Sequence, residues 1–358
     1  MLLLAIETSC DDTCVAVMRD APPAAEILSH AAASQLVHAE FSGVVPELAS
    51  REHMRLLAPL VRRALAEAEV AWNALDAIAV TNGPGLIGSL LVGLSLAKAL
   101  AWAREIPLLG VNHVEAHLAA ILLTPEGRRV SPPFVGLVAS GGHTEIVRVT
   151  DWGQWDLLGA TRDDAAGEAF DKVANLLELG FPGGPALARA AAGGRADAFA
   201  FPRAWLGLER GGLDVSFSGP KTAVKLFLDR RGWPQEPQAP PARERFTADV
   251  AASFQEAVVD VLATKLVAAA EAAGDRQLVL AGGVAANLAL RERVVQLARP
   301  RGLAVHLPAL EFCGDNAAMI GMAAFHHLRR GERSRYDLAA VPSLEAWDGC
   351  YETGAERP

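Results

Sequence analysis

The chain opens with an apolar run, Leu2-Leu3-Leu4-Ala5-Ile6, which Glu7 and the polar stretch Thr8-Ser9-Cys10-Asp11-Asp12-Thr13 interrupt before apolar residues resume over 14–18. Run, turn and run predict a hairpin of short buried strands. The pattern returns at 134–139, Ser140-Gly141-Gly142-His143-Thr144 and 145–149. A third unit differs: residues 278–281, then Gly282-Gly283-Val284-Ala285-Ala286-Asn287, read as strand, glycine turn and helix, with Asn287 placed to start the helix. Between these lie alanine-rich stretches with apolar residues at helical spacing, clearest over 248–273. Two similar openings about 130 residues apart predict an α/β protein of duplicated lobes with a ligand cleft between them. The expected division gives the first lobe residues 1–131 and about 316–342, the second 132–315, and a loose tail 343–358. The proline-rich segment 232–241 predicts a surface loop.

Residues 86–103 are apolar nearly all round, yet Gly88, Ser89, Gly93, Ser95 and Lys98 within them favour a buried helix over a membrane span. Part of it should face the protein's own core and the rest a neighbour, with Gly93 expected at that contact. The N-terminus lacks the basic start of a secretory signal. Four cysteines in 358 residues do not make a disulfide framework, so a cytoplasmic location is expected. Thirty-three basic against 42 acidic residues give a net charge of −9, which excludes binding of polyanions by bulk positive charge. Such a partner must meet local patches, for which Arg51 with Arg55, Arg62 with Arg63, and Arg329 with Arg330 are the candidates.

His113-Val114-Glu115-Ala116-His117 puts two imidazoles about 40° apart on one helix face, able to share a metal ion, with Glu115 about 200° from His113 and pointing away. That excludes the H-E-x-x-H protease arrangement. In Cys313-Gly314-Asp315-Asn316, Asp315 sits at a helix entry, as an N-cap or as a third ligand of the kind that suits iron(II) or zinc with open positions. The glycine turns suit backbone approach to phosphate oxygens. Gly83-Pro84-Gly85-Leu86-Ile87-Gly88-Ser89 reads as a helix start whose small residues permit tight packing.

These segments, with Glu47-Leu48-Ala49-Ser50-Arg51-Glu52-His53, Phe170-Asp171-Lys172, Phe181-Pro182-Gly183-Gly184-Pro185, Ser216-Phe217-Ser218-Gly219 and Asp315-Asn316-Ala317-Ala318-Met319-Ile320, resemble the tRNA threonylcarbamoyladenosine transferase family, TsaD, over about residues 2–325. The resemblance implies two ribonuclease-H-like lobes of the actin and sugar-kinase ATPase type. It further implies transfer of threonylcarbamoyl from threonylcarbamoyl-AMP to the N6 amine of the adenosine beside the anticodon, in tRNAs reading codons that begin with A. Carried onto this chain, His113, His117 and Asp315 would hold one divalent metal ion, iron(II) first and zinc second. Val138, Ala139, Ser140, Gly141, Gly142, Asp171, Gly184 and Asn287 would bind the acyl-adenylate, and Asp11 would serve catalysis. The implied partners are tRNA, the paralogue TsaB and the ATPase TsaE. Ala116, Asp12, Ala188, Pro220 and Gly314 depart from the family's usual residues. An ATP-dependent sugar or acyl kinase of the same fold is the alternative, against which the histidine pair argues.

Overall fold

A computed structural model describes residues 1–21, 24–35, 37–38, 43–234, 240–343 and 352–353. In chain order the elements are β1 (Leu2–Glu7), β2 (Asp12–Ala21), β3 (Ala24–Ser34), α1 (Pro46–Glu67), β4 (Ala77–Gly83), α2 (Ile87–Arg104), β5 (Leu108–Asn112) and α3 (His113–Ala119). There follow β6 (Phe134–Ala139), β7 (Thr144–Asp151), β8 (Gln154–Ala160), α4 (Ala166–Leu176), α5 (Gly183–Ala191), α6 (Ser218–Arg230) and α7 (Pro240–Ala273). The last are β9 (Gln277–Ala281), α8 (Leu288–Ala298), β10 (Ala304–His306), α9 (Ala317–Arg329), β11 (Glu332–Arg333) and β12 (Glu352–Thr353).

Two five-stranded sheets result, in the orders β3-β2-β1-β4-β5 and β8-β7-β6-β9-β10. Read strand for strand the orders are the same, so the duplicated α/β architecture expected from the two openings is what the chain forms. In the first sheet β2 is antiparallel to β1 and β3, while β4 is parallel to β1 and β5. In the second, β9 is parallel to both β6 and β10. The chain divides into two units: Met1–Pro132 with Val149–Trp155 and Pro308–Pro358, and Pro133–Arg148 with Asp156–Leu307.

The core of the first unit forms because β1 and β4 are apolar on both faces and are covered on both. Leu4, Ile6, Ile78 and Val80 are fully buried there, and α1 adds Leu57, Leu60, Val61 and Ala64 at helical spacing. Each buried leucine contributes about 2 kcal/mol. In the second unit α7 buries Val250, Phe254, Val258, Val261 and Leu262 on the same principle.

The expectation that α2 packs against the protein holds, and several others need correction. By length and composition α2 is the one described helix that would cross a membrane, but it packs on β4 and α1. Gly93 does not face a neighbour: a Cβ there would stand 2.3 Å from Thr8 Oγ1. The outward stripe of α2 is instead Ile87, Leu91, Ser95, Ala99 and Trp102, with Leu91 49% and Trp102 68% exposed. The segment 232–241 is a turn as far as Pro234 and enters α7 at Pro240, with 235–239 outside the described residues. The tail is tied down at Glu352–Thr353, which pairs with Glu332–Arg333, and the rest of 344–358 lies outside the described residues.

Candidate functional site

β5 runs directly into α3, and Asn112 makes the junction sharp. Its Oδ1 accepts from the backbone N–H of Val114 at 2.8 Å and of Glu115 at 3.2 Å, so His113 becomes the first helical residue. All seven residues of α3 are buried. His113 and His117 leave it on one face, their rings edge to face with centroids 4.6 Å apart. Asp315 meets them from the loop before α9, its Oδ1 3.5 Å from His113 Nε2 and 3.2 Å from His117 Nε2. The cap of α9 is not Asp315 but Asn316, whose Oδ1 accepts from Met319 N–H at 2.8 Å. Asp315 is thereby available to turn to the histidines.

The three ligand atoms lie within 4.8 Å of one another. Both ring nitrogens of buried His117 lack a hydrogen-bond partner among the described residues. A buried orphan beside a carboxylate oxygen and a second imidazole fits a divalent cation, and the two-histidine, one-carboxylate set suits iron(II) or zinc.

Behind His113 sits Glu7, fully buried at the end of β1, a residue that sequence reasoning missed. Its Oε1 accepts from Ser9 N–H, while Oε2 accepts from Thr81 Oγ1 at 2.6 Å and lies 3.0 Å from His113 Nδ1. A carboxylate can only accept, so Nδ1 carries the proton and Nε2 is left to face Asp315. Burial opposes ionisation of Glu7, but His113 and then the Thr81 hydroxyl outweigh it and hold the carboxyl below its ordinary range. Burial likewise opposes charge on His113, and Asp315 and Glu7 overcome it, pushing the imidazole up to about 9. For His117 burial prevails and the pKa falls.

Asp11 lies half-buried in the turn after β1, which a second unforeseen residue, His53 of α1, brackets. His53 Nε2 donates to the Cys10 carbonyl at 2.9 Å and Nδ1 lies 2.8 Å from Thr13 Oγ1, so one neutral ring spans Asp11 and Asp12. Asp12 is pushed up to about 6, chiefly by burial, with Asp315, Asp11 and Glu7 adding repulsion that a Ser34 hydrogen bond only partly offsets.

The residues assigned to the adenylate all belong to the second unit, at and beyond the C-terminal ends of β6 and β9. Val138 pairs with Ala281, and a Cβ on Gly282 would meet the Ala139 carbonyl oxygen at 2.3 Å. Gly167 N–H donates to the Ser140 carbonyl at 3.0 Å, so α4 starts against the second turn. From α4, Asp171 Oδ1 accepts from Gly184 N–H at 2.9 Å. Asn287 caps α8 by accepting from Leu290 N–H at 3.1 Å and donates to Gln255 Oε1 at 2.7 Å. The glycines divide into two kinds. At Gly167, Gly183 and Gly282 a Cβ would collide with backbone within 2.6 Å, so packing demands them. At Gly141, Gly142, Gly184 and Gly283 a Cβ would meet nothing within 4 Å, which leaves open backbone beside strand ends where ligands of α/β sheets bind.

The arginine patches fare unequally. Arg329 pairs with Asp20 and Arg330 with Glu332, which corrects the expectation of a free basic face there. Arg55 is held by Glu52 at 2.6 Å and Arg63 by Glu67 at 2.7 Å, while Arg51 and Arg62 are exposed.

A family model described as tRNA N6-adenosine threonylcarbamoyltransferase, TsaD, matches residues 26–322. A protein of that name from Clostridioides difficile is 46% identical over 96% of this chain and 98% of its own length. Another of the same name, from Syntrophobacter fumaroxidans, is 50% identical over 92% and 95%. Among solved structures, component A of (R)-2-hydroxyglutaryl-CoA dehydratase from Acidaminococcus fermentans has a TM-score of 0.51 at 15% identity, covering 90% of this chain and 99% of that one. HypF from T. kodakarensis has a TM-score of 0.56 at 16% identity, over 91% and 48%. These structures share the fold.

Proposed function

With this chain belonging to the tRNA N6-adenosine threonylcarbamoyltransferase family, we propose that it takes threonylcarbamoyl from threonylcarbamoyl-AMP and transfers it to the N6 amine of the adenosine 3′ of the anticodon, in tRNAs reading codons that begin with A. The chain is an acyltransferase acting on tRNA, and no finding favours the kinase alternative. The observation that carries the finer reading is the convergence of His113, His117 and Asp315, for which a kinase that brings magnesium with its nucleotide has no use.

In the reaction the N6 nitrogen attacks the carbonyl of a mixed anhydride, the C–O bond to phosphate breaks, AMP departs, and the nitrogen loses a proton. The leaving group is already good, so the protein's work is alignment and charge stabilisation. His113, His117 and Asp315 would hold iron(II), with zinc as the alternative occupant, and such an ion would supply Lewis-acid polarisation and a template. Glu7 fixes the tautomer of His113. Asp11, presented by the His53 bracket, accepts the amine proton or orients the amine. In the second unit the open backbone at Gly141 and Gly142 approaches the phosphate of the adenylate, Gly184 with its N–H on Asp171 leaves room beside it, and Asn287 adds a side-chain contact.

The apolar stripe Ile87, Leu91 and Trp102 is the surface we assign to the paralogue TsaB, with the ATPase TsaE joining the pair, in the cytoplasm. tRNA is met through Arg51 and Arg62 and through these partners. Depletion of the protein should remove threonylcarbamoyladenosine from cellular tRNA by mass-spectrometric nucleoside analysis. Wild-type chain should restore it and His113→Ala with His117→Ala should not; full restoration by the double variant would overturn the reading.

A further inference from the structure

Glu115 is the one polar residue of the His113–His117 segment that the metal centre leaves unused. It is 3% exposed, on the side of α3 away from the ligand nitrogens. Its Oε1 lies 2.8 Å from His327 Nε2, and since a carboxylate only accepts, the imidazole donates. The other ring nitrogen, Nδ1, lies 2.5 Å from Glu332 Oε2. Arg330 holds Glu332 in turn, with Nε on Oε1 at 2.7 Å and Nη2 on Oε2 at 3.2 Å, and its Nη1 donates to the Trp152 carbonyl at 2.7 Å. Gly153 follows with φ +81°, and a Cβ there would stand 2.8 Å from His327 Cε1, so the tip of the β7–β8 hairpin closes over the ring.

α3 has seven residues, too few for its own hydrogen bonds to hold it in place. α9 has 13 and is about 20 Å long, with Asp315 just before its cap and His327 in its last turn. α3 and the stretch from Asp315 through α9, which between them supply all three candidate ligands, therefore meet at two points. At one, His113 and His117 face Asp315; at the other, Glu115 is bonded to His327.

We propose that the Glu115–His327 bond is a positioning device for the metal centre: it fixes α3 on α9 so that the nitrogens of His113 and His117 stand within reach of Asp315 before an ion arrives. The inference rests on the metal reading above. A preset ligand triangle spares the ion the cost of ordering α3.

The test is zinc affinity of the metal-free, full-length protein, measured by competition with a chromophoric chelator, beside its thermal midpoint without metal. Glu115→Leu should weaken zinc binding at least tenfold in a folded protein. Glu115→Gln, which still accepts from His327, should stay within about threefold of wild type. His327→Leu removes the same bond without touching α3 and should match Glu115→Leu. Unchanged affinity in either folded leucine variant overturns the proposal. So does failure of both to fold, which would assign the bond to stability alone. If wild-type zinc affinity is unaffected by His113→Ala with His117→Ala, the metal reading itself fails, a result distinct from these.

Discussion

The two sheets place the same device, strand, turn and antiparallel strand, at equivalent positions, and fill it with opposite chemistry. The turn between β1 and β2 contains Asp11, ends at Asp12 and has Glu7 buried behind it, with Asp315 near enough to raise Asp12. The turn between β6 and β7 is Ser140-Gly141-Gly142-His143, with no acid and with two glycines whose missing side chains leave open space. A concentration of carboxylates attracts a cation and repels phosphate; bare backbone N–H groups do the reverse. On the reading proposed above, one backbone plan sits beside a metal centre in one unit and an anion site in the other, and the side chains of a few turn residues set the local charge that suits each.

The largest test of this contrast removes the cation's ligands. His113→Ala with His117→Ala should lower transfer at least about a thousandfold, equivalent to about 4 kcal/mol, and abolish metal content by elemental analysis while circular dichroism stays native. Next, the crowding of carboxylates in the first turn should be visible in metal-free stability. Asp12 has a folded pKa of about 6 against an ordinary 3.8, so ionising it costs folding free energy, and its contribution is lost as pH rises through about 6. Asp12→Asn should therefore raise unfolding free energy by about 1–3 kcal/mol over wild type at pH 7.5 and by little at pH 4, in urea melts. A variant equally shifted at both pH values would break the electrostatic account.

The second turn predicts a different signature. Gly141→Val should leave the melting temperature near wild type, because its Cβ meets nothing, yet weaken binding of a stable threonylcarbamoyl-AMP analogue more than tenfold, about 1.4 kcal/mol, by calorimetry. Gly282→Ala should do the opposite, disturbing the fold through a Cβ 2.3 Å from the Ala139 oxygen in a backbone at φ +84°. The smallest effect concerns tRNA. Arg51→Ala with Arg62→Ala, in the assembled complex, should flatten the log–log salt dependence of tRNA affinity by about 0.7–0.9 for each phosphate that an arginine no longer neutralises. An unchanged slope would move tRNA binding onto the partners.

The sequence announces both turns because glycine, acid and apolar runs are local signals. It is silent on Glu7, which sits at the end of an apolar strand and acquires its role only by meeting Thr81 and His113, 74 and 106 residues away. His53 is hidden likewise, 40 residues from Thr13. β3 and β8 carry no such local signal, because Ala24–Ser34 is rich in alanine and Gln154–Ala160 is short and leaves Gln154, Asp156 and Leu157 exposed; neighbouring strands make them strands. Asp315 could be cap or ligand from sequence alone, and the choice falls to Asn316 one position later, which takes the cap.

The seat of Gly93 against Thr8 has a mechanical consequence. Thr8 Oγ1 also donates to the Ser89 carbonyl at 2.9 Å, and Leu86 N–H donates to the Ser9 carbonyl at 2.8 Å, so the inner side of α2 is fastened to the acidic turn while its outer side carries the apolar stripe. One helix thickness, about 10 Å, is all that separates a docked protein from the backbone of Thr8 and Ser9. A partner seated on that stripe would stiffen the turn through a solid spacer, and amide hydrogens of residues 8–11 should exchange more slowly in the complex than in the isolated chain.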